Sequence, residues 1–152
     1  MTESPNPTPA SDARDLVEIL HARGQRVTPQ RLVILRELRR RGRHATADEI
    51  RSAIRDELPG TSTPTVYAAL ELLVDLGLAR RLHAGAGATL YDARTEPHHH
   101  TVCSSCGRVD DLDAALDVSP LHRASADAGF SPSDVEIVVS GLCARCAGEG
   151  AA

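Results

Sequence analysis

Four cysteines, and no others in the chain, fall as two CxxC pairs, Cys103-Ser104-Ser105-Cys106 and Cys143-Ala144-Arg145-Cys146. This limits the fold more sharply than any other feature, because the chain must bring the second pair back to the first. Two cysteines spaced in this way can each place a sulfur about 2.3 Å from one Zn²⁺, and a second pair closes the sulfur tetrahedron. The alternative is two disulfides, which belong to oxidising compartments. Residues 1–10, MTESPNPTPA, lack the basic start and apolar stretch of a signal peptide. No apolar run is long enough to cross a bilayer. The cysteines are therefore read as ligands of one structural zinc, in a protein expected in the cytoplasm and away from membranes.

With 152 residues, the chain has room for one medium domain or two small ones. It holds one Phe, two Tyr and no Trp, so its core must be built from Leu, Val, Ile and Ala, and a small core of that kind benefits from a metal staple. The net charge of −4 hides an asymmetry. Residues 1–96 carry 14 arginines against 13 acids, whereas residues 97–152 carry 3 against 8. Arg31, Arg36, Arg39, Arg40, Arg41 and Arg43 crowd one short stretch. An acidic protein can still bind nucleic acid when its basic groups gather on one face, although a charge run is more commonly a solvated helix face.

Turn and cap signals divide the chain. Residues 1–10 are Pro/Ser/Thr-rich and expected to be disordered. Leu16, Val17, Ile19 and Leu20 predict a first helix ending at Gly24. Thr28-Pro29 reads as N-cap and first-turn proline of a second helix running to about Arg41. Thr46-Ala47-Asp48-Glu49 is a capping box that opens a third helix, to Leu58. Thr63-Pro64 repeats the N-cap and proline signature for a fourth, to Gly77. Residues 78–83 and 88–93 then read as strands joined by Ala84-Gly85-Ala86-Gly87. Helices followed by such a hairpin have the layout of a winged helix, whose last helix before the wing, here 63–76, lies in the DNA major groove. The arginine cluster and an exposed Tyr67 favour DNA over a plain helical bundle. Beyond a hinge at 95–97, strands at 98–102, 108–112 and 135–140 and a helix at 116–128 make a small α+β domain. The expected division is a tail at 1–10, a winged-helix DNA-binding domain at 11–94, the hinge, a dimerisation and metal-binding domain at 98–147, and a flexible tail at 148–152.

His98-His99-His100 precedes the first CxxC. On a strand, residues 98 and 100 share one face and 99 takes the other. The pair 98/100 can chelate one metal with an acid from a neighbouring strand, Asp92, Asp110, Asp111 or Asp113. Such a set suits Fe²⁺, Mn²⁺, Zn²⁺ or Ni²⁺ rather than thiolate-seeking ions. A solvent-exposed polyhistidine run is the bland alternative. His21, His83 and His122 read as surface residues, and His44 is too distant in sequence for spacing to recruit it.

Gly-x-Arg-Val-Thr-Pro-Gln-Arg (24–31), His-Ala-Thr-Ala-Asp-Glu-Ile (44–50), Thr-Val-Tyr (65–67), Leu-Gly-Leu (76–78), HHHxxCxxCG (98–107) and the closing CxxC resemble the ferric uptake regulator (Fur) family, over residues 14–146. The resemblance implies a homodimeric, metal-dependent transcription factor and not an enzyme. It would be a repressor with a winged helix and a carboxyl-terminal dimerisation domain, binding a palindromic double-stranded DNA operator. Within the family the sequence is most similar to the peroxide-sensing, PerR-like branch, whose regulatory ion is held by three His and two Asp. Motif for motif these are His44, Asp92, His98, His100 and Asp111; iron-responsive members more typically carry Glu at the positions of Asp92 and Asp111. The structural zinc remains with Cys103, Cys106, Cys143 and Cys146. DNA contacts are expected from Arg26, Arg31, Thr63, Thr65 and Tyr67. The sequence departs from the pattern at His99, where an aspartate or aromatic is frequent, and at Ala68, where many relatives place Arg or Asn. No histidine stands in 131–135, so a third metal site is not implied.

The same resemblance implies a mechanism. Ligands drawn from both domains would let Fe²⁺ or Mn²⁺ favour the DNA-binding arrangement, because an ion shifts an equilibrium only through unequal affinity for its two states. Peroxide acting at bound Fe²⁺ would oxidise His44 or His98 and release the DNA. An iron- or manganese-responsive regulator of metal uptake is the alternative, and a metallohydrolase or a zinc-stabilised interaction module are remote ones. No small organic substrate is expected.

Overall fold

The computed structural model describes residues 9–42, 44–83 and 87–149. It is an α+β structure of helices and two small sheets. The described residues fall into two compact units: one runs to His83 and resumes over Ala88–Thr95, and the other takes Gly87 and everything from Glu96 onward.

The first unit opens with α1 (Pro9–Ala22) and α2 (Pro29–Arg41). Thr28 caps α2 as its sequence dictates, its hydroxyl accepting the Arg31 N–H, with Pro29 at the start. Gly42 ends the helix at φ 56°, a left-handed conformation that favours glycine. The capping box is present: Thr46 accepts the Glu49 N–H at 3.2 Å and Glu49 accepts the Thr46 N–H at 2.8 Å. It opens α3 (Ala47–Ala53), which stops earlier than expected. Residues 54–60 make irregular turns instead of helix, leading into Pro59-Gly60. The next helix, α4 (Thr63–Asp75), is capped one residue earlier than expected. Ser62, rather than Thr63, accepts the Thr65 N–H, and the Thr63 hydroxyl donates to Asp48 at 3.2 Å.

β1 (Ala45–Thr46), β2 (Arg80–Leu82) and β3 (Leu90–Asp92) form an antiparallel sheet in the order β1-β3-β2. The turn expected at 84–87 lies, except for Gly87, outside the described residues. Leu16, Leu20, Ile34, Leu38, Ile50, Val66, Leu70 and Leu73 pack with Tyr91 in one aliphatic core. Each fully buried side chain of this kind contributes roughly 1.5–3 kcal/mol, so this unit stands on its apolar contacts.

The second unit contains β4 (His99–Cys103), β5 (Val109–Leu112), α5 (Ser119–Asp127), β6 (Val138–Gly141) and α6 (Ala144–Glu149). β4 is central, antiparallel to β5 and parallel to β6. α5 starts later than 116 because Asp117 accepts the Ser119 N–H and Pro120 fixes the first turn. β6 begins three residues later than expected, and α6 was not foreseen. Of the tails expected at 1–10 and 148–152, residues 1–8 and 150–152 lie outside the described residues. Pro9 and Ala10 open α1, while Gly148 and Glu149 close α6. No described helix is long and apolar enough to cross a membrane.

Candidate metal centres

The four cysteines converge. Cys103 ends β4, Cys106 lies in the turn before β5, Cys143 follows β6 and Cys146 sits in α6. All are free thiols, and their sulfurs lie within 4.8 Å of one another. Cys106 Sγ and Cys143 Sγ are 3.8 Å apart. A ZnS₄ tetrahedron with bonds of about 2.3 Å has an edge of about 3.8 Å, whereas a disulfide requires about 2.05 Å. The chain turns tightly between the first two ligands. Cys103 N–H donates to the Arg108 carbonyl and Gly107 N–H to the Cys103 carbonyl, both at 2.9 Å, with Gly107 at φ 72°.

Backbone N–H groups aim at sulfur. Those of Cys106 and then Cys143 pull the Cys103 thiol down to about 6 against burial, and that of Arg108 lowers Cys106. Cys146 is pushed up to about 11: the Ser105 hydroxyl lowers it, but the neighbouring Cys143 and burial together outweigh that bond. Arg145 hydrogen-bonds Cys106 and Cys146, placing a cation beside the cluster. Four sulfurs at this spacing, with donors favouring thiolate, fit a tetrahedral zinc.

A second constellation lies on the same sheet. His98 and His100 are 5% and 3% exposed. Their Nε2 atoms are 2.9 Å apart, and Asp111 Oδ1 lies 3.5 Å from the first and 4.0 Å from the second. Strand register accounts for this, since His100 stands directly opposite Asp111 across β4 and β5. Asp110, on the alternate face, pairs with Arg108 instead. The other ring nitrogens each lie close to an oxygen. His98 Nδ1 is 2.8 Å from the Glu96 carbonyl, which only accepts, so Nδ1 is the donor. His100 Nδ1 is 2.9 Å from Glu136 Oε1, an ion-pair distance whose ring N–H is not aligned on that oxygen as it stands. The two Nε2 atoms face each other across that 2.9 Å contact. Two nitrogens on adjacent octahedral positions at about 2.1 Å from an ion would be about 3.0 Å apart. A divalent cation fits that gap.

His99 takes the opposite face, as alternation requires. Its Nδ1 accepts the Ile137 N–H at 3.3 Å, so the residue that departs from the family pattern holds backbone rather than metal. Glu136 had not been singled out in the sequence. Its signal is a lone acid within the β-branched run Val135-Glu136-Ile137-Val138-Val139.

In the first unit, His44 and Asp92 are both buried, with His44 Nε2 3.4 Å from Asp92 Oδ2. The β1–β3 ladder brings them together, because Ala45 pairs with Tyr91 and each of the two is the next residue along. Asp92 Oδ1 accepts the Arg94 N–H at 2.8 Å, which leaves Oδ2 turned to His44. Tyr91 points the other way, into the core, where its hydroxyl donates to Glu71 of α4. Burial and then that bond raise the Tyr91 phenol. Glu71 also pairs with Arg81.

The residues expected to touch DNA belong to this unit. Arg26 and Thr65 are exposed. Arg31 donates to the Arg26 carbonyl. Thr63 is engaged with Asp48. Tyr67 is half-buried rather than exposed, its ring edge-on to Tyr91 with centroids 6.4 Å apart. The arginine cluster is also less available than its sequence implied: Arg36 pairs with Glu57, and Arg40 and Arg41 with the buried Glu37. Arg43 lies outside the described residues.

The family model of the Ferric uptake regulator family matches residues 22–140. The ferric uptake regulation protein 1 of Mycolicibacterium fortuitum is 36% identical over 138 residues, covering 89% of this chain and 85% of its own. The peroxide operon regulator of Bacillus subtilis is 34% identical over 137 residues, covering 90% and 94%. Among solved structures, the Campylobacter jejuni peroxide stress regulator is similar at a TM-score of 0.66 and 31% identity, covering 86% of this chain and 98% of its own.

Proposed function

The chain belongs to the ferric uptake regulator family, and we propose that it is a metal-dependent, DNA-binding transcriptional repressor that senses hydrogen peroxide through a nitrogen–oxygen metal site. The observation that carries this reading is the pair of His98 and His100 Nε2 atoms, 2.9 Å apart beside Asp111, with an oxygen close to each Nδ1. His44 and Asp92 form the complementary pair of the first unit, and all five residues serve one Fe²⁺ or Mn²⁺. With ligands from both units, the ion favours whichever arrangement lets all five reach it, and that unequal affinity is what a regulatory switch needs.

DNA binding falls to α4. Its exposed Thr65 and Ala68 and half-buried Tyr67 lie near the helix start, which enters the major groove in winged-helix docking, and the exposed Arg26 suits a phosphate contact. A second copy supplies the other half of a palindrome. The exposed Val138, Val139 and Leu142 of the second unit support dimerisation there. Cys103, Cys106, Cys143 and Cys146 hold the structural zinc, so every thiol is committed and regulation rests on nitrogen and oxygen.

When bound, Fe²⁺ would supply the chemistry that activates peroxide beside the imidazoles. In the net reaction H₂O₂ would give one oxygen to a ring carbon of His44 or His98 in place of its hydrogen and leave as water, and the altered ring would hold the ion, and with it the operator, less well. The relatives named for ferric uptake favour a second reading, an iron- or manganese-responsive regulator without peroxide chemistry. DNA binding by the Fe²⁺ and Mn²⁺ forms, each with and without peroxide, separates the two. The iron form should lose its operator and gain one oxygen on His44 or His98 by peptide mass spectrometry, while the manganese form should do neither. No added oxygen on either histidine moves the assignment to the second reading. Equal operator affinity with and without regulatory metal overturns both.

A further inference from the structure

We infer that Glu136 is a positioning residue for the regulatory site: its carboxylate holds His100 with Nδ1 protonated and Nε2 presented to the ion. The inference rests on the proposed reading of His100 as a metal ligand. Glu136 Oε1 lies 2.9 Å from His100 Nδ1, and the Glu136 side chain is 28% exposed while that of His100 is 4% exposed. The contact therefore links a buried ligand to an acid at the surface.

The strand arrangement builds this contact. His100 is registered with Val138 across the parallel β4–β6 pair, and Glu136 stands two residues before Val138. Backbone bonds tie the preceding segment to β4 on both sides of Ile137. Its carbonyl accepts the His100 N–H at 3.0 Å, and its N–H donates to His99 Nδ1. Glu136 is thus fixed by its neighbours rather than by its own flexible side chain.

His98 and His100 are consequently unequal ligands. His98 is backed by a neutral backbone carbonyl, that of Glu96, and His100 by a carboxylate. A carboxylate behind an imidazole raises the basicity of the opposite nitrogen and fixes its tautomer, and losing such a partner typically costs about 10–100-fold in metal affinity. Glu136 therefore strengthens one donor selectively, in a site whose own acids, Asp92 and Asp111, are short.

The test uses the full-length, zinc-loaded protein as wild type, E136A, E136Q and H100A. One readout is Mn²⁺ affinity by competition with a chelating dye. The other is the His100 tautomer from two-bond ¹H–¹⁵N spectra, taken without regulatory ion. Wild type should carry its proton on Nδ1. E136A should lose that preference and bind Mn²⁺ about 10–100-fold more weakly. E136Q keeps an oxygen acceptor at the same reach but not the charge, so it should restore the tautomer and only part of the affinity. The inference is overturned if E136A binds within twofold of wild type, or if it weakens binding with its tautomer unchanged. If H100A binds Mn²⁺ as wild type does, the five-ligand reading itself fails and takes this inference with it.

Discussion

Removing the structural zinc should unfold the second unit and leave the first intact. In that unit the only apolar residues buried among those described are Cys103 and Cys146, two of the metal ligands. None of the residues of α5 or β6 is buried. Val102, Val109, Leu112, Val118, Val135 and Ile137 are half-buried. At about 1 kcal/mol for half-burial of each, these six supply roughly 6 kcal/mol. A structural zinc in a small domain supplies about 10–16 kcal/mol, so the metal exceeds the whole apolar contribution. The perturbation is Cys146→Ser in the full-length protein, with zinc loss verified by elemental analysis and the fold read by amide hydrogen exchange. The Cys103 and Ser104 amides, bonded to the carbonyls of Arg108 and Gly141, should lose protection. Amides of α2 and α4, packed in the aliphatic core, should keep theirs. The sulfurs add a pH dependence. The Cys103 thiol is lowered from 9.0 to about 6, so its contribution is fully present above pH 9 and disappears as pH falls through 6. Persistent protection of the β4–β5–β6 amides in the zinc-free variant would refute the reasoning.

Two further outcomes follow from the fold. Glu37 accepts from Arg40 at 2.8 and 2.9 Å and from Arg41 at 3.1 Å, so Glu37→Gln should cost about 1–2 kcal/mol in urea unfolding at neutral pH. The hydrogen bond from Arg40 holds the Glu37 carboxyl below its ordinary 4.5. The difference between wild type and variant should therefore be complete above that value and vanish as pH falls through the lowered one. Val139→Glu or Leu142→Glu should place a charge on the exposed apolar face of the second unit and convert a dimer to monomers in sedimentation. A dimer of unchanged mass would exclude that face.

What could be read from the sequence was what acts locally. Thr28 and the Thr46/Glu49 box announce helix starts because a cap is completed within four residues. The CxxC pairs announce a tetrahedral site because spacing alone positions two sulfurs, and strand alternation separates His99 from its neighbours. Features made by distant partners were not legible. β1 is two residues long and exists because β3 pairs with it, and α6 is a six-residue helix beside the cysteine cluster. Ser62 prevailed over Thr63 as cap because Asp48, distant in sequence, takes up the Thr63 hydroxyl. Tyr67 was misjudged because its burial depends on Tyr91, and Glu136 was missed because only the β4–β6 register brings it to His100.

The consecutive residues Tyr91 and Asp92 give β3 two loads on opposite sides of one strand. Asp92 faces His44, and the Tyr91 hydroxyl is bonded to the helix proposed to read DNA. The backbone between them is paired on both edges, with β1 and with β2, so a shift of the strand that moves one side chain moves the other. Coupling of this kind runs in both directions by thermodynamic necessity. If α4 reads the operator and Asp92 serves the regulatory ion as proposed, an operator that fixes α4 in one pose would also restrain Asp92 and act as an effector of that site. The DNA would then decide in part how long the protein keeps its ion.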